Sequence, residues 1–389
     1  MNSRERVTRA LNHQEPDKVP VDLGGGDTTI EVEAYEDLKE YLGMEKETRV
    51  SVRAHVVPDE EILQKFEVDT RYLRPFPVQK WRDVKKKNPV VDAWGTKWYQ
   101  PKSSHYFDPV EYPFADFTLD DLKDYQYPEL WNKEYGRELA KTAERLYKET
   151  DYFLIADAVG GLFEQAWFLR GFENFLVDLV LNKDFASKVL DIILAQRKDF
   201  FGKFLDVVGP YVGMVMVSDD LGGQEGPLIS PELYREMIKP RHKELYSFIK
   251  SKTDAKLLLH SCGAIREFID DLIDEGVDVL NPIQVSAKGM DTKELKRDFG
   301  EKIVFWGGGC DTQKVLPFGS PEGVHDEVKK RISDLKPGGG FVFAQIHEIQ
   351  PETPPENILA MYEAVKEYRD YSLLTVARTT NKLLAMKGD

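Results

Sequence analysis

The chain has two cysteines, and both stand where they could bind a metal. One follows a histidine by two residues, in Lys256-Leu-Leu-Leu-His260-Ser-Cys262-Gly263. The other ends the run Trp306-Gly-Gly-Gly-Cys310. Two soft thiolates and one imidazole make a three-ligand set for Zn²⁺, with a fourth position left for water or substrate. That is the pattern of a catalytic zinc site rather than a closed structural one. Two other readings stay open. Cysteine is often buried as a small hydrophobe, and a pair can form a disulfide, which a reducing compartment disfavours.

The elements that must position these residues are strands. Short apolar runs bounded by glycine read as buried strands. Both cysteines lie directly behind such runs, Leu257–Leu259 and Ile303–Trp306. Further runs occur at Val19–Leu23, Phe66–Leu73, Tyr152–Ala156, Val212–Val217, Val277–Leu280 and Phe341–Gln345. Helical patterns cover residues 3–13, 32–42, 133–150, 161–181 and 185–207. A last helix is expected from Thr353-Pro-Pro-Glu356, read as a capping box with proline at the first helical position. Strands alternating with helices in this number predict an α/β fold, a (β/α)₈ TIM barrel, with residues 1–389 as a single domain. In that fold the chemistry gathers at the C-terminal strand ends. His260, Cys262, Cys310, Asp157, Asp219, Gln284 and His347 all fall at such ends. Residues 75–132, after the second strand, read as an insertion rich in aromatics, among them Trp81, Trp94, Trp98, Tyr99, Tyr106 and Phe107. A stretch like this is a lid, a binding insertion or an interface, or else a satellite hydrophobic cluster.

Composition narrows the function classes. Hydrophobic residues at 41% and charged residues at 31% describe a soluble globular protein. A net charge of −15 disfavours a nucleic-acid surface. The basic run Lys85-Lys86-Lys87 reads as a solvated turn. No apolar run is long enough for a membrane span, and Met1-Asn-Ser-Arg-Glu-Arg lacks the apolar core of a signal peptide. A cytoplasmic protein with reduced thiols is therefore expected. Gly24-Gly25-Gly26 completes no phosphate-binding motif and reads as space cleared at a cavity mouth.

Several stretches resemble one family over nearly the whole chain. They are Asp17-Lys-Val-Pro-Val-Asp22, Asp219-Asp-Leu-Gly-Gly-Gln-Glu-Gly-Pro-Leu-Ile-Ser230, Phe305-Trp-Gly-Gly-Gly-Cys-Asp-Thr-Gln313 and Pro351-Glu-Thr-Pro-Pro-Glu-Asn357. Together they resemble the uroporphyrinogen decarboxylase superfamily. Two activities divide it: porphyrinogen decarboxylation, and zinc-dependent methyl transfer to or from a corrinoid protein. The methyltransferase branch uses His-x-Cys…Cys zinc ligands, which this chain matches at His260, Cys262 and Cys310. The decarboxylase branch carries an arginine motif after its first strand, whereas Leu23-Gly-Gly-Gly-Asp-Thr-Thr29 has no arginine.

The resemblance therefore implies a zinc-dependent methyltransferase of the O-demethylase type. It would move a methyl group from a small methoxylated, aromatic substrate to the cob(I)alamin of a separate corrinoid protein. A homodimer is admitted. Alternatives are transfer from methylcobalamin to a thiol or tetrahydrofolate, a porphyrinogen decarboxylase, and a binding protein without catalysis. Around the metal, His347 is expected to protonate a leaving oxygen, or else to pack against Glu348. Asp219 or Asp220 orients a ligand or accepts a substrate hydrogen bond, or else caps a helix. Gln284 and Gln224 are candidate substrate contacts, with loop stabilisation the other reading for Gln224.

Overall fold

The computed structural model describes residues 1–51, 54–84, 88–101, 104, 106–158 and 160–372. The Lys85–Lys87 run lies outside them. Seven parallel strands follow one another in chain order around one sheet: Thr70–Leu73, Phe153–Asp157, Met214–Ser218, Lys256–His260, Val279–Asn281, Val304–Trp306 and Phe341–Val342. Residues 19–23 close the ring. Val21 bridges Phe343 in parallel, Asp22 N–H donates to the Phe343 carbonyl, and Asp69 N–H donates to the Val21 carbonyl. The expected eight-stave barrel is thus present. Its first stave is an extended segment rather than a full ladder strand. Pro20 offers no N–H, and Val21 N–H is taken by the Asp69 side chain at 2.9 Å.

Strand alternation decides what faces the lumen. Phe153, Ile155, Met214, Met216, Leu258, Val279, Val304, Trp306 and Val342 form one inner apolar cluster. Leu154, Ala156, Val215, Val217, Leu257 and Leu259 pack outward against the helices. Val7, Ala10 and Leu11 of the helix Ser3–Leu11 join the inner cluster and stopper one end of the barrel. That helix starts with a capping box between Asn2 and Glu5. The lumen also holds a buried acid, Asp22. It accepts hydrogen bonds from Trp306 Nε1 at 2.9 Å, Tyr72 Oη at 2.8 Å, Thr28 Oγ1 at 2.8 Å and Thr70 Oγ1. Burial pushes its carboxyl above the usual range despite these donors.

Three local expectations change. The second strand begins at Thr70, because Phe66 caps the helix Glu60–Lys65 and Glu67 turns left-handed at φ +52°. The helical stretch after the third strand splits into Phe163–Arg170 and Phe172–Leu181 at Gly171, whose φ of +93° suits only glycine. The capping box at Thr353 does not form. Pro354 takes the cap position of Pro355–Tyr368, and no side chain caps that helix.

Within 75–132, Val90–Val91, Lys97–Tyr99 and Asp108–Glu111 make a small antiparallel sheet. Trp98 packs edge-on against Phe168 at 4.8 Å, and Thr96 Oγ1 donates to the Phe168 carbonyl. On the far side, Tyr106 Oη donates to Gln350 Oε1 at 2.5 Å. The segment therefore ties the helix after one strand to the loop after the last.

Candidate metal centre at the barrel mouth

His260 is the last residue of its strand and faces inward with Leu258. Its neighbour in register on the next strand is Asn281. Asn281 Nδ2 donates to the Trp306 carbonyl at 2.9 Å, so its Oδ1 faces His260 Nδ1, 2.6 Å away. An amide oxygen can only accept. The contact therefore calls for a proton on His260 Nδ1 and turns Nε2 toward Cys262. That nitrogen lies 3.4 Å from Cys262 Sγ. Two ligands on one tetrahedral zinc, at about 2.0 and 2.3 Å from it, stand about 3.5 Å apart.

The loop after His260 is fixed by its backbone. Cys262 N–H donates to Asp220 Oδ1 at 2.7 Å, and Gly263 N–H donates to Gln284 Oε1 at 2.8 Å. Gly263 sits at φ +86°, and a Cβ there would meet the Gly222 carbonyl oxygen at 2.2 Å. Only glycine lets the two loops touch.

The third member of the group is His347. Its ring lies 5.3 Å from that of His260, centroid to centroid, at 70°. His260, Cys262 and His347 each place a ligand atom within 4.8 Å of the others. Among the described residues this is the group of three such side chains that comes together. Burial pushes the Cys262 thiol well up, and the carboxylates of Asp220, Asp27, Glu164 and Glu348 push it the same way. Asp27 Oδ2 also lies 3.7 Å from His260 Nδ1, and Asp220 Oδ1 lies 4.0 Å from His260 Nε2. A thiol and two imidazoles form a donor set suited to a divalent cation, and the acids around them favour positive charge there.

Cys310 does not join the group. It is fully buried in the outer apolar layer, where Glu327, Asp311 and Arg331 are the charges that act on it. Gly307 and Gly308 both turn left-handed, at φ +85° and +81°, and break the strand alternation before the cysteine. His347, rather than Cys310, is the third member of this group.

Asp219 is buried and takes the helix-cap reading. Its oxygens accept from the N–H groups of Leu162, Phe163 and Glu164 at 2.7–2.9 Å and face His242 Nε2 at 2.8 Å. Gln284 is buried, and its Oε1 accepts from Gly263 N–H in the loop after His260. Gln224 is exposed, and its carbonyl accepts from Lys288 N–H. Asn281, Asp27 and Glu348 went unremarked as site residues in the sequence. Asn281 alone left a signal, since it lies at a strand end in register with His260.

The family model described as uroporphyrinogen decarboxylase (URO-D) matches residues 107–368. The chain belongs to the uroporphyrinogen decarboxylase family. Within that family it is similar to the methylcobamide:CoM methyltransferase MtaA of Methanosarcina barkeri, 28% identical over 155 residues, covering 40% of this chain and 42% of that protein. It is also similar to the uroporphyrinogen decarboxylase of Pelodictyon phaeoclathratiforme, 26% identical over 145 residues, covering 36% of this chain and 38% of that one. The matched stretches thus span about two-fifths of the length of these curated relatives. A solved methyltransferase from Methanosarcina mazei superposes with a TM-score of 0.64 at 18% identity, over 95% of this chain and 99% of that one. At that identity the likeness establishes the URO-D family's barrel. No helix among the described residues is long and apolar enough to cross a membrane.

Proposed function

We propose that this chain is a zinc- and corrinoid-dependent methyltransferase that demethylates a methoxylated aromatic compound and passes the methyl group to the cob(I)alamin of a separate protein. The observation that carries this reading is the convergence of His260, Cys262 and His347 at the barrel mouth. The similarity to MtaA, a methyltransferase named for a methylcobamide, supports the corrinoid part.

His260, Cys262 and His347 would hold the zinc, and Asn281 keeps His260 Nε2 aimed at it. Zinc, when bound, supplies a Lewis acid that polarises the ether oxygen and stabilises the departing phenolate. The donor set carries a single thiolate, so a divalent ion held there keeps a net positive charge. That favours an oxygen leaving group that becomes anionic. The acids Asp27, Asp220, Glu164 and Glu348 face the same thiol. They disfavour a polycarboxylated tetrapyrrole and so count against decarboxylation. Trp98 against Phe168 and Tyr106 on Gln350 attach the small sheet to the helix and the loop on either side of the site.

A second reading is favoured by one observation. The MtaA relatives are named for transfer to CoM, so the chain could instead take the methyl group from methylcobalamin to a thiol. One optical assay separates the two. With a reduced corrinoid protein, methoxylated phenols or aromatic acids should convert cob(I)alamin to methylcobalamin, and chelation should stop it. Consumption of methylcobalamin on adding a thiol, with methoxyarenes inert, would establish the second reading instead.

A further inference from the structure

His347 has a neighbour that the proposed chemistry does not use. Its Nδ1 lies 3.8 Å from one oxygen of Glu348, and the other oxygen lies 3.3 Å from His55 Nε2. Glu348 is 2% exposed. A carboxylate buried that deeply is costly unless cations or donors face it. Here an imidazole stands on each side. The backbone on both sides is pinned. Ile346 N–H donates to the Cys310 carbonyl, Ile349 N–H to that of Thr29, and Ser51 N–H to that of His55. The three side chains are therefore set on fixed supports rather than on a loose loop.

We propose that Glu348, held by His55, is the positioning residue for His347, and that this pair sets how tightly the cluster holds a divalent metal. The inference rests on reading the cluster as a metal centre. With Glu348 3.8 Å from Nδ1, the proposal gives Nε2 of His347 to the metal. A carboxylate on the far nitrogen of a ligating histidine fixes its tautomer and raises its basicity. The two imidazoles then differ. His260 leans on a neutral amide, Asn281, and His347 on a carboxylate, which makes His347 the stronger donor.

The test strips the protein of metal and titrates it with Zn²⁺ against a chromophoric chelator. Glu348→Gln should weaken binding about 10–100-fold, Glu348→Asp less, and His55→Asn by roughly 3–10-fold. In the Co²⁺-loaded protein, Glu348→Gln should also shift the visible bands, which a merely structural role would leave in place. The proposal is overturned if Glu348→Gln and His55→Asn both bind within about twofold of the unaltered chain with its Co²⁺ spectrum. Should the Gln variant fail to fold, His55→Asn decides alone, since His55 lies nearer the surface, with its side chain 18% exposed. Cys262→Ser separates the two claims. If zinc binding survives that change, the metal-centre reading falls and takes this proposal with it. If Cys262→Ser abolishes binding but the other two variants bind normally, only the role of Glu348 is lost.

Discussion

Asn281 decides which nitrogen of His260 faces Cys262. The amide is locked by the Trp306 carbonyl on one side and offers only an acceptor on the other. Asn281→Ala should therefore free the ring to turn and take the other tautomer. Zinc affinity should drop about 10–100-fold, with the far-ultraviolet circular dichroism of the barrel retained. Affinity equal to that of the parent would show that the ring needs no such support.

The two cysteines should behave differently. Cys262→Ala should abolish zinc retention, and His347→Ala should weaken it strongly. Cys310→Ala should leave zinc content unchanged and cost about 1 kcal/mol of stability, since it only opens a small space in a packed layer. Metal analysis of the purified variants, with urea unfolding alongside, reads both effects. Zinc loss from Cys310→Ala would restore the ligand set expected from the sequence.

Gly263 has no tolerance for a side chain. Its left-handed backbone and the 2.2 Å approach to the Gly222 carbonyl act together. Gly263→Ala should lower stability by at least about 2 kcal/mol and reduce zinc affinity by shifting Cys262. A crystal structure of the variant with Cys262 in place, or unchanged unfolding, would contradict this.

A buried charge network predicts the alkaline limit of the fold. His242 is packed between Asp219 and Glu275, with Tyr234 Oη beside Nδ1 and Tyr246 stacked on the ring. Burial alone would lower its pKa, but the Asp219 and Glu275 carboxylates raise it to about 9. The folded protein then binds the proton more tightly than the unfolded chain does. This stability is fully present below about pH 6.5 and fades as the pH rises through about 9, by on the order of 3 kcal/mol at most. Lys296 works the other way. Burial lowers its ammonium to about 8, so stability is gained from there up to its unfolded value. Subtracting the pH profile of His242→Gln from that of the parent, measured as urea midpoints between pH 6 and 10, isolates the His242 contribution. A flat difference would mean that the ring is neutral.

The sequence made the barrel legible because its inner strands are short, apolar and evenly punctuated. Leu257–Leu259 and Ile303–Trp306 could hardly be anything else. His260 and Cys262 were legible for the same reason, as polar residues directly behind a buried run. Cys310 falls in the outer apolar layer, because periodicity stops at Gly307 and Gly308. Once the backbone turns left-handed, position along the chain no longer tells inside from outside. His347 was visible as a strand-end residue, but its approach to His260 is a distance across the barrel, which no local pattern encodes. Asp219 shows the opposite case. The sequence allowed both of its readings, and the amides of Leu162, Phe163 and Glu164, more than fifty residues away, hold it at a helix N-terminus.

The stopper formed by Val7, Ala10 and Leu11 has a further consequence. A barrel sealed at one end has a single door. In the proposed reaction, whatever delivers the methyl group and whatever carries it off would both use the side on which His260 opens, and would use it in turn. A bulky carrier docked there would imprison any small molecule already inside. Traffic through this protein should therefore queue, with the small molecule first in before the carrier docks and last out after it leaves.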